Sequence, residues 1–324
     1  MFKVLVVGGA GYIGSHMVKV LAKNGCVVTT LDNLSTGFED AVLYGQFIEG
    51  DLGDHALLDR VFNSENFDAV IHFASSIQVA ESMRLPLDYY SNNVSNTLNL
   101  LRTMIQYRCS NFIFSSSAAI FGNPQTLTID ELHPKQPVNP YGRSKWMVEE
   151  MLADFDKAYG LKSVCLRYFN AAGADPEGML GERHSPETHL IPLILQVASG
   201  RLDAIKVFGR NYGTPDGTCI RDYVHVQDLC QAHWLALQWL TKGGPSTAFN
   251  LGSGEGFSVQ EIINMAQEIT GKSIRTIESG RRMGDPERLV ANPQRAKQEL
   301  QWQVANTDIQ TIIRHAWRWE QLRI

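Results

Sequence analysis

The sequence predicts an α/β fold, a doubly wound parallel sheet of the Rossmann-like kind joined to a smaller, discontinuous α/β lobe, and three observations carry this. From residue 3 to about 169, apolar strand-like runs alternate with amphipathic helical stretches, the pattern of a parallel sheet covered by helices on both faces. The first run, Val4-Leu5-Val6-Val7, passes straight into the glycine-rich turn Gly8-Gly9-Ala10-Gly11-Tyr12-Ile13-Gly14, which opens a helix. The second run, Val27-Val28-Thr29-Thr30-Leu31, ends on Asp32.

The elements follow in order. A strand near 3–7 is apolar throughout, as a strand buried on both faces must be. A helix near 12–24 leads to strands near 27–31 and 46–49, a helix near 54–64, a strand near 68–73, a long helix near 87–107 and a strand near 111–116. The next helix, near 141–159, starts at Pro140 with Asn139 as its cap: proline lacks the N–H that a first turn leaves unpaired, and the asparagine side chain accepts from a free amide. A strand near 163–169 ends the alternation. Beyond Asn170 come Gly/Pro-containing loops, among them Asp175-Pro176-Glu177-Gly178 and Tyr212-Gly213-Thr214-Pro215-Asp216-Gly217, of the polar kind that carries binding on a rigid scaffold. Ala248-Phe249-Asn250-Leu251 reads as a strand returning to the sheet.

Composition narrows the partners. At 324 residues and 44% hydrophobic content the chain exceeds the length at which one core stops growing, so two lobes are expected. The formal charge of -5, with Lys and Arg interspersed, provides no basic tract for nucleic acid and no polybasic membrane patch. The first apolar stretch is broken at once by glycines, unlike a signal peptide, and no later run approaches the length of a membrane span, so a cytoplasmic protein is expected. Cys26, Cys109, Cys165, Cys219 and Cys230 are odd in number and scattered, which favours buried free thiols over disulfides. None has metal-ligand spacing, and no metal is expected.

Glycines at positions 8, 9, 11 and 14 do three things that a side chain would prevent: they allow a tight turn, let the backbone approach a phosphate, and pack a helix closely on a strand. A glycine turn alone also fits an ordinary strand-to-helix connection. Strand, helix and acid together select a dinucleotide, with its pyrophosphate at the helix N-terminus. A carboxylate at Asp32 would accept hydrogen bonds from the adenosine ribose and repel a 2′-phosphate, which selects NAD over NADP.

Tyr141-Gly142-Arg143-Ser144-Lys145 places a phenol and an ammonium one helical turn apart on one face. A nearby cation, helped by a cationic nicotinamide, would lower the phenol toward the pH at which it acts as a base. Such a pair on a helix also fits packing with a solvated charge. Its helix follows a strand ending in Ser115-Ser116-Ser117, and the strand ends of a parallel sheet are where ligands bind. Ser117 is the hydroxyl expected to meet the phenol, while Ser115 and Ser116 read as polar residues of a strand-end turn.

With the glycine turn, Ser117, Tyr141-x-x-x-Lys145 and Arg167-Tyr168-Phe169-Asn170, the chain resembles the extended short-chain dehydrogenase/reductase family, and within it the UDP-glucose 4-epimerase branch. The resemblance runs essentially end to end through His72-Phe73-Ala74, Ser91-Asn92-Asn93-Val94, Arg221-Asp222-Tyr223-Val224-His225-Val226, Asn250-Leu251-Gly252 and Gly284-Asp285. It implies NAD-dependent epimerisation at C4 of a UDP-hexose through a transient 4-ketose. Tyr141 would be the base, Lys145 its electrostatic partner and a ligand of the nicotinamide ribose, and Ser117 the hydroxyl sharing the substrate O4 hydrogen bond. The NAD site would comprise Gly8, Gly11, Tyr12, Ile13, Gly14, Asp32, Asn33, Asp51, Leu52, Phe73, Ala74, Asn92 and Tyr168 together with Tyr141 and Lys145. UDP would meet Asn170, His189, Leu190, Phe208, Arg221, Arg282 and Asp285, the arginines offering planar forks to the phosphates.

The implied organisation is an NAD-binding domain over 1–170 with an interleaved return near 222–252, and a mainly UDP-sugar-binding lobe over 171–324. A homodimer is expected through the helices near 87–107 and 141–159, which carry apolar residues on more than one face. Where many family members carry Lys, this chain has Ile77, and Ser75-Ser76 replaces smaller or apolar residues. Leu289 matches the position at which the family has a small residue when N-acetylated sugars are accepted and Tyr when they are excluded; an ordinary core leucine is the other reading. Two rival functions are a nucleotide-sugar 4,6-dehydratase, which needs an acid–base pair immediately after Ser117 where this chain has Ala118-Ala119, and a non-catalytic NAD-sensing protein, which need not keep Ser117, Tyr141 and Lys145 together.

Overall fold

The first strand, β1 (Lys3–Val7), is buried from Val4 to Val7, which is why no polar residue interrupts it. The computed structural model describes residues 1–282, 285–306 and 308–323. After β1 come α1 (Tyr12–Lys23), β2 (Val27–Asp32), β3 (Gln46–Glu49), α2 (His55–Ser64), β4 (Ala69–His72), α3 (Val79–Ser82), α4 (Pro86–Tyr90), α5 (Asn96–Gln106), β5 (Asn111–Ser117), α6 (Pro140–Tyr159) and β6 (Lys162–Tyr168). The second half holds β7 (Asn170–Ala172), α7 (Leu190–Ala198), β8 (Ile205–Phe208), β9 (Ile220–Arg221), β10 (Tyr223–His225), α8 (Val226–Thr241), β11 (Thr247–Leu251), β12 (Phe257–Ser258), α9 (Val259–Thr270), β13 (Thr276–Ser279), β14 (Arg288–Leu289), α10 (Gln294–Glu299) and α11 (Ile309–Gln321).

Seven strands form one parallel sheet in the order β11-β6-β5-β4-β1-β2-β3. The sheet grows outward in both directions from β1 and β4, and the crevice at the carboxyl ends of these two strands is where a doubly wound sheet binds its ligand. On one face β1 and its neighbours pack with α1 and α8 around Met17, Leu21, Leu229 and Leu237. On the other, Leu58, Phe62, Leu100, Met104, Val148 and Leu152 bring α2, α5 and α6 against Leu5, Val70 and Phe112. A separate core joins α7, α9 and α11 over β8 through Ile194, Ile262 and Ile313. The strand at Ala248–Leu251 returns to the sheet as expected, at its edge beside β6.

Two local features refine the sequence expectation. The helix expected near 87–107 is continuous from α4 to α5 only through a wide turn at Ser91–Ser95, a geometry that often marks functional segments. Helix α6 begins as its sequence dictates: Pro140 occupies the first turn and the Asn139 side chain accepts from the Gly142 amide at 2.8 Å. All five cysteines are free thiols, and among the described residues no helix is long and apolar enough to cross a membrane.

Candidate active site

The glycine turn is built by close backbone contacts. Gly8 has φ +78°, and a Cβ there would lie 2.4 Å from the Ala74 amide nitrogen, so the segment after β4 passes directly over the turn. At Gly14 a Cβ would lie 2.1 Å from the Gly8 carbonyl oxygen, which lets α1 approach the turn. At Gly11 it would meet only that same oxygen, at 3.4 Å, and otherwise open space. The glycine keeps this space clear at the N-terminus of α1, where no side chain among the described residues caps the free amides of the first turn, Tyr12 and Ile13 included. This is a cradle shaped for a phosphate, and it fits the pyrophosphate of NAD.

Asp32 closes the cradle on one side. Its carboxylate accepts from the Ala10 and Leu34 amides, each at 2.9 Å, and pairs with no cation among the described residues. Burial raises its pKa while these two amides pull it down, and ribose hydroxyls are the donors that such a carboxylate lacks. At the carboxyl ends of β2 and β3, Asn33 donates to Asp51 at 2.6 Å and Asn99 donates to the Leu52 carbonyl at 3.3 Å, which fixes the neighbouring Asp51-Leu52 segment. Phe73 lies 4.9 Å from the His233 ring, and Tyr168 stands 6.2 Å from the same ring. Asn92 is on the wide turn before α5 and donates to Ser76 Oγ at 3.2 Å, while Ile77 is exposed.

Ser117, Tyr141 and Lys145 are all buried at the end of β5 and the start of α6. Ser117 accepts from the Ala119 amide at 3.1 Å as the cap of a short 3-10 turn over Ala118–Phe121. Tyr141 and Lys145 stand at i and i+4 on α6, the spacing that puts a phenol and an ammonium on one helical face. The ammonium of Lys145 donates to Ser75 Oγ at 2.7 Å and to the Ser115 carbonyl at 2.8 Å, and lies 4.9 Å from the Phe114 ring centre. Burial raises the Tyr141 phenol above its ordinary value, with the Ser117 hydroxyl lowering it, and burial pushes Lys145 down to about 7 against the pull of Glu149.

Of the residues expected to meet UDP, Phe208 ends β8, Arg221 ends β9, and Arg282 and Asp285 lie between β13 and β14, while Asn170 begins β7 and His189 and Leu190 stand at the start of α7. Arg282 stacks on Phe208 with its guanidinium carbon 3.9 Å from the ring centre. Arg221 pairs with Asp285 and donates to the Ile220 carbonyl at 2.8 Å. Leu289 is in register beside Arg221 and packs on the apolar group Ala118, Ile120, Phe121 and Ile129 that follows Ser117. Asn170 donates to the Asp222 carbonyl at 2.9 Å. His189 precedes α7 at its N-cap position without its side chain capping the helix, and its Nδ1 faces Glu182 at 2.8 Å and Glu187 at 2.9 Å. Gly284 lies outside the described residues.

Sequence reasoning missed several positioning groups. Ser115 and Ser116 belong to no turn: they are the buried end of β5, and Ser116 donates to Glu149 at 2.5 Å. Strand pairing with β6 holds them inside the sheet. Ser75 receives the Lys145 ammonium, and Asn93 ties Ser76 N at 2.8 Å, Ser76 O at 3.0 Å and Ser144 Oγ at 3.0 Å into one network. Glu149 was within reach, since Tyr141, Lys145 and Glu149 repeat at four-residue spacing on one helical face.

Comparison with known proteins follows this geometry closely. The model of the NAD dependent epimerase/dehydratase family matches residues 4–252. A UDP-glucose 4-epimerase of Halalkalibacterium halodurans is 48% identical over 318 residues, covering 98% of this chain and 95% of its own length. One from Streptococcus mutans serotype c is 49% identical over 319 residues, with 98% and 96% covered. The crystal structure of UDP-glucose 4-epimerase from Brucella ovis in complex with NAD superposes with a TM-score of 0.95 at 50% identity over 98% of both chains.

Proposed function

The chain belongs to the NAD dependent epimerase/dehydratase family, and from that premise we propose that it is an isomerase interconverting UDP-glucose and UDP-galactose at C4 through a transient 4-keto sugar. The near-full-length match to UDP-glucose 4-epimerases, one of them solved with NAD, carries this reading. NAD, held by the glycine turn and Asp32, would supply the reversible hydride acceptor that oxidation and reduction at C4 require.

The chain's own residues hold and move the proton. Tyr141 takes the O4 proton and returns it, Ser117 shares the hydrogen bond to O4, and Lys145 reaches the nicotinamide ribose from its place between Ser75 and Ser115. Gly8, Gly11, Gly14 and the amides of Tyr12 and Ile13 receive the pyrophosphate, and Asp32 the adenosine ribose. Asn33, Asp51, Leu52, Phe73, Ala74, Asn92 and Tyr168 line the rest of that site. Asn170, His189, Leu190, Phe208, Arg221, Arg282 and Asp285 hold UDP, with Leu289 beside the sugar. Residues 1–170 with 222–252 thus serve the cofactor, and 171–324 mainly the UDP-sugar. A firm hold on the nucleotide with few contacts to the hexose lets the keto sugar rotate between the two hydride transfers.

A dehydratase would need an acid–base pair where Ala118-Ala119 stands, and an NAD sensor would not need the intact Ser117, Tyr141 and Lys145 set. A proton NMR time course of purified protein with UDP-galactose and no added cofactor tests the reading. Growth of UDP-glucose signals to a constant ratio is expected; a 4-keto-6-deoxy product or an unchanged spectrum overturns it. The proposed assembly is a cytoplasmic homodimer through α4–α5 and α6, where Leu87 is 75%, Leu98 43% and Met147 47% exposed. Light scattering that finds only single chains at micromolar concentration removes the dimer.

A further inference from the structure

We propose that Glu182, His184, Glu187 and His189, in the loop leading into α7, form a closed four-ligand site for a divalent transition-metal ion, with zinc the ion that its donors suit. One ligand atom from each residue lies within 4.8 Å of all the others. His189 Nδ1 is 2.8 Å from Glu182 and 2.9 Å from Glu187, and His184 Nδ1 is 3.4 and 3.3 Å from the same two carboxylates. Each imidazole nitrogen thus stands beside both carboxylates, with Glu187 offering Oε1 to His189 and Oε2 to His184. Ligands of a tetrahedral zinc ion at about 2.0–2.1 Å stand about 3.3–3.4 Å apart, so the His184 side already has the spacing and the His189 side must open by about 0.5 Å.

The donor set selects the ion. Two imidazoles and two carboxylates suit zinc, whereas calcium and magnesium want six or more oxygens, and the absence of thiolate among these four disfavours the softest ions. The side chains of Glu182 and Glu187 are only 6% and 5% exposed, and these two carboxylates, removed from water, take compensating positive charge from His184 and His189, a role that a divalent ion on the same four side chains would assume. The surroundings are those of a built site. The Thr188 and His189 amides donate to Glu187 at 2.7 and 2.9 Å, and Trp319 donates to the Glu182 carbonyl at 3.1 Å. Tyr12, on the glycine turn, stands edge-on to His184 at 6.4 Å. Four protein ligands leave no open position, so the role is structural.

The sequence reading expects no metal because it searches cysteine spacing, and Glu-x-His-x-x-Glu-x-His in a loop has no helical or ribbon periodicity to reveal it. A metal on Nδ1 confines the ring hydrogen of His189 to Nε2, a fixed donor for a phosphate. That last link rests on the proposed function; zinc binding does not.

The test strips the NAD-loaded protein with dipicolinate, titrates it with zinc chloride by calorimetry, and counts metal by mass spectrometry. One zinc per chain is expected, with an X-ray absorption spectrum fitted by nitrogen and oxygen alone near 2.0–2.1 Å. His184→Asn and Glu187→Gln should each weaken zinc binding by at least about a hundredfold, the upper end of what loss of even an outer partner costs. A zinc-free wild type that takes up none, sulfur ligands in the spectrum, or undiminished uptake by the folded variants overturns the site. If a variant does not fold, the wild-type count and spectrum decide. UDP affinity measured with and without zinc tests the His189 link separately.

Discussion

The Arg167 guanidinium forks onto the Glu149 carboxylate, with Nε 3.0 and 3.2 Å from its two oxygens and Nη2 2.5 Å from one of them. Both side chains are buried, and Glu149 stands one turn beyond Lys145, so the pair clamps α6 to β6 directly behind the proposed catalytic lysine.

Breaking that pair from one side leaves a buried charge alone. Glu149→Gln should therefore lower unfolding stability by about 3–5 kcal/mol, read as a shift in urea midpoint. Replacing both partners, as Glu149→Leu with Arg167→Met, removes the desolvation of each and should restore about half of the loss or more. A single variant that costs less than about 1 kcal/mol contradicts the burial argument.

Lys145 makes stability depend on pH in the cofactor-free chain. Burial holds its folded pKa at about 7, below the unfolded value of about 10.4, so between these limits the unfolded chain binds more protons. The penalty for a buried ammonium is complete below about 7 and disappears as the pH rises toward 10. Urea denaturation at pH 6.5 and 9.5 should show wild type gaining stability relative to Lys145→Met at the higher pH. Parallel changes in the two proteins would rule this out.

Tyr141→Phe removes the proposed acid–base group without disturbing a strand or a cap. Turnover should fall at least about a hundredfold while bound NAD, released by denaturation and measured by chromatography, stays unchanged. Ser117→Ala should cost less, since it removes a shared hydrogen bond and leaves the phenol. Near-normal turnover in Tyr141→Phe would displace it as the base.

The sheet was legible because both its signals are local. Four apolar residues in succession at Val4–Val7 can be satisfied only by burial on both faces, and Asn139-Pro140 marks a helix start by covalent chemistry alone. The phenol–lysine pair was legible for the same reason, being four residues apart on one helix. Ser75 was not, because its bond to Lys145 spans 70 residues and depends on how the segment after β4 folds over Gly8. The Arg167–Glu149 clamp joins residues 18 apart on different elements, and no periodicity relates them. The placement of the Lys145 ammonium was not legible, because spacing gives proximity along a helix, whereas the oxygens of Ser75 and Ser115 decide where the ammonium points.

Leu289 is register-paired beside Arg221 and packs on the apolar group that includes Phe121, next to residues proposed to hold the substrate. Leu289→Tyr should lower kcat/KM for UDP-N-acetylgalactosamine more than tenfold relative to UDP-galactose, within the roughly 1–3 kcal/mol that a pocket wall can discriminate. An unchanged ratio in a folded variant would make Leu289 a packing residue only.

Strand β11 joins the sheet beside β6, register-paired from Thr247 against Val164 to Leu251 against Tyr168. During synthesis, β6 leaves the ribosome long before its neighbour exists, and its outer row of amides and carbonyls stays unpaired until the chain beyond residue 251 has emerged. A nascent chain stalled between these points carries a sticky sheet border, and stop codons placed there should yield insoluble fragments rather than a working half-enzyme.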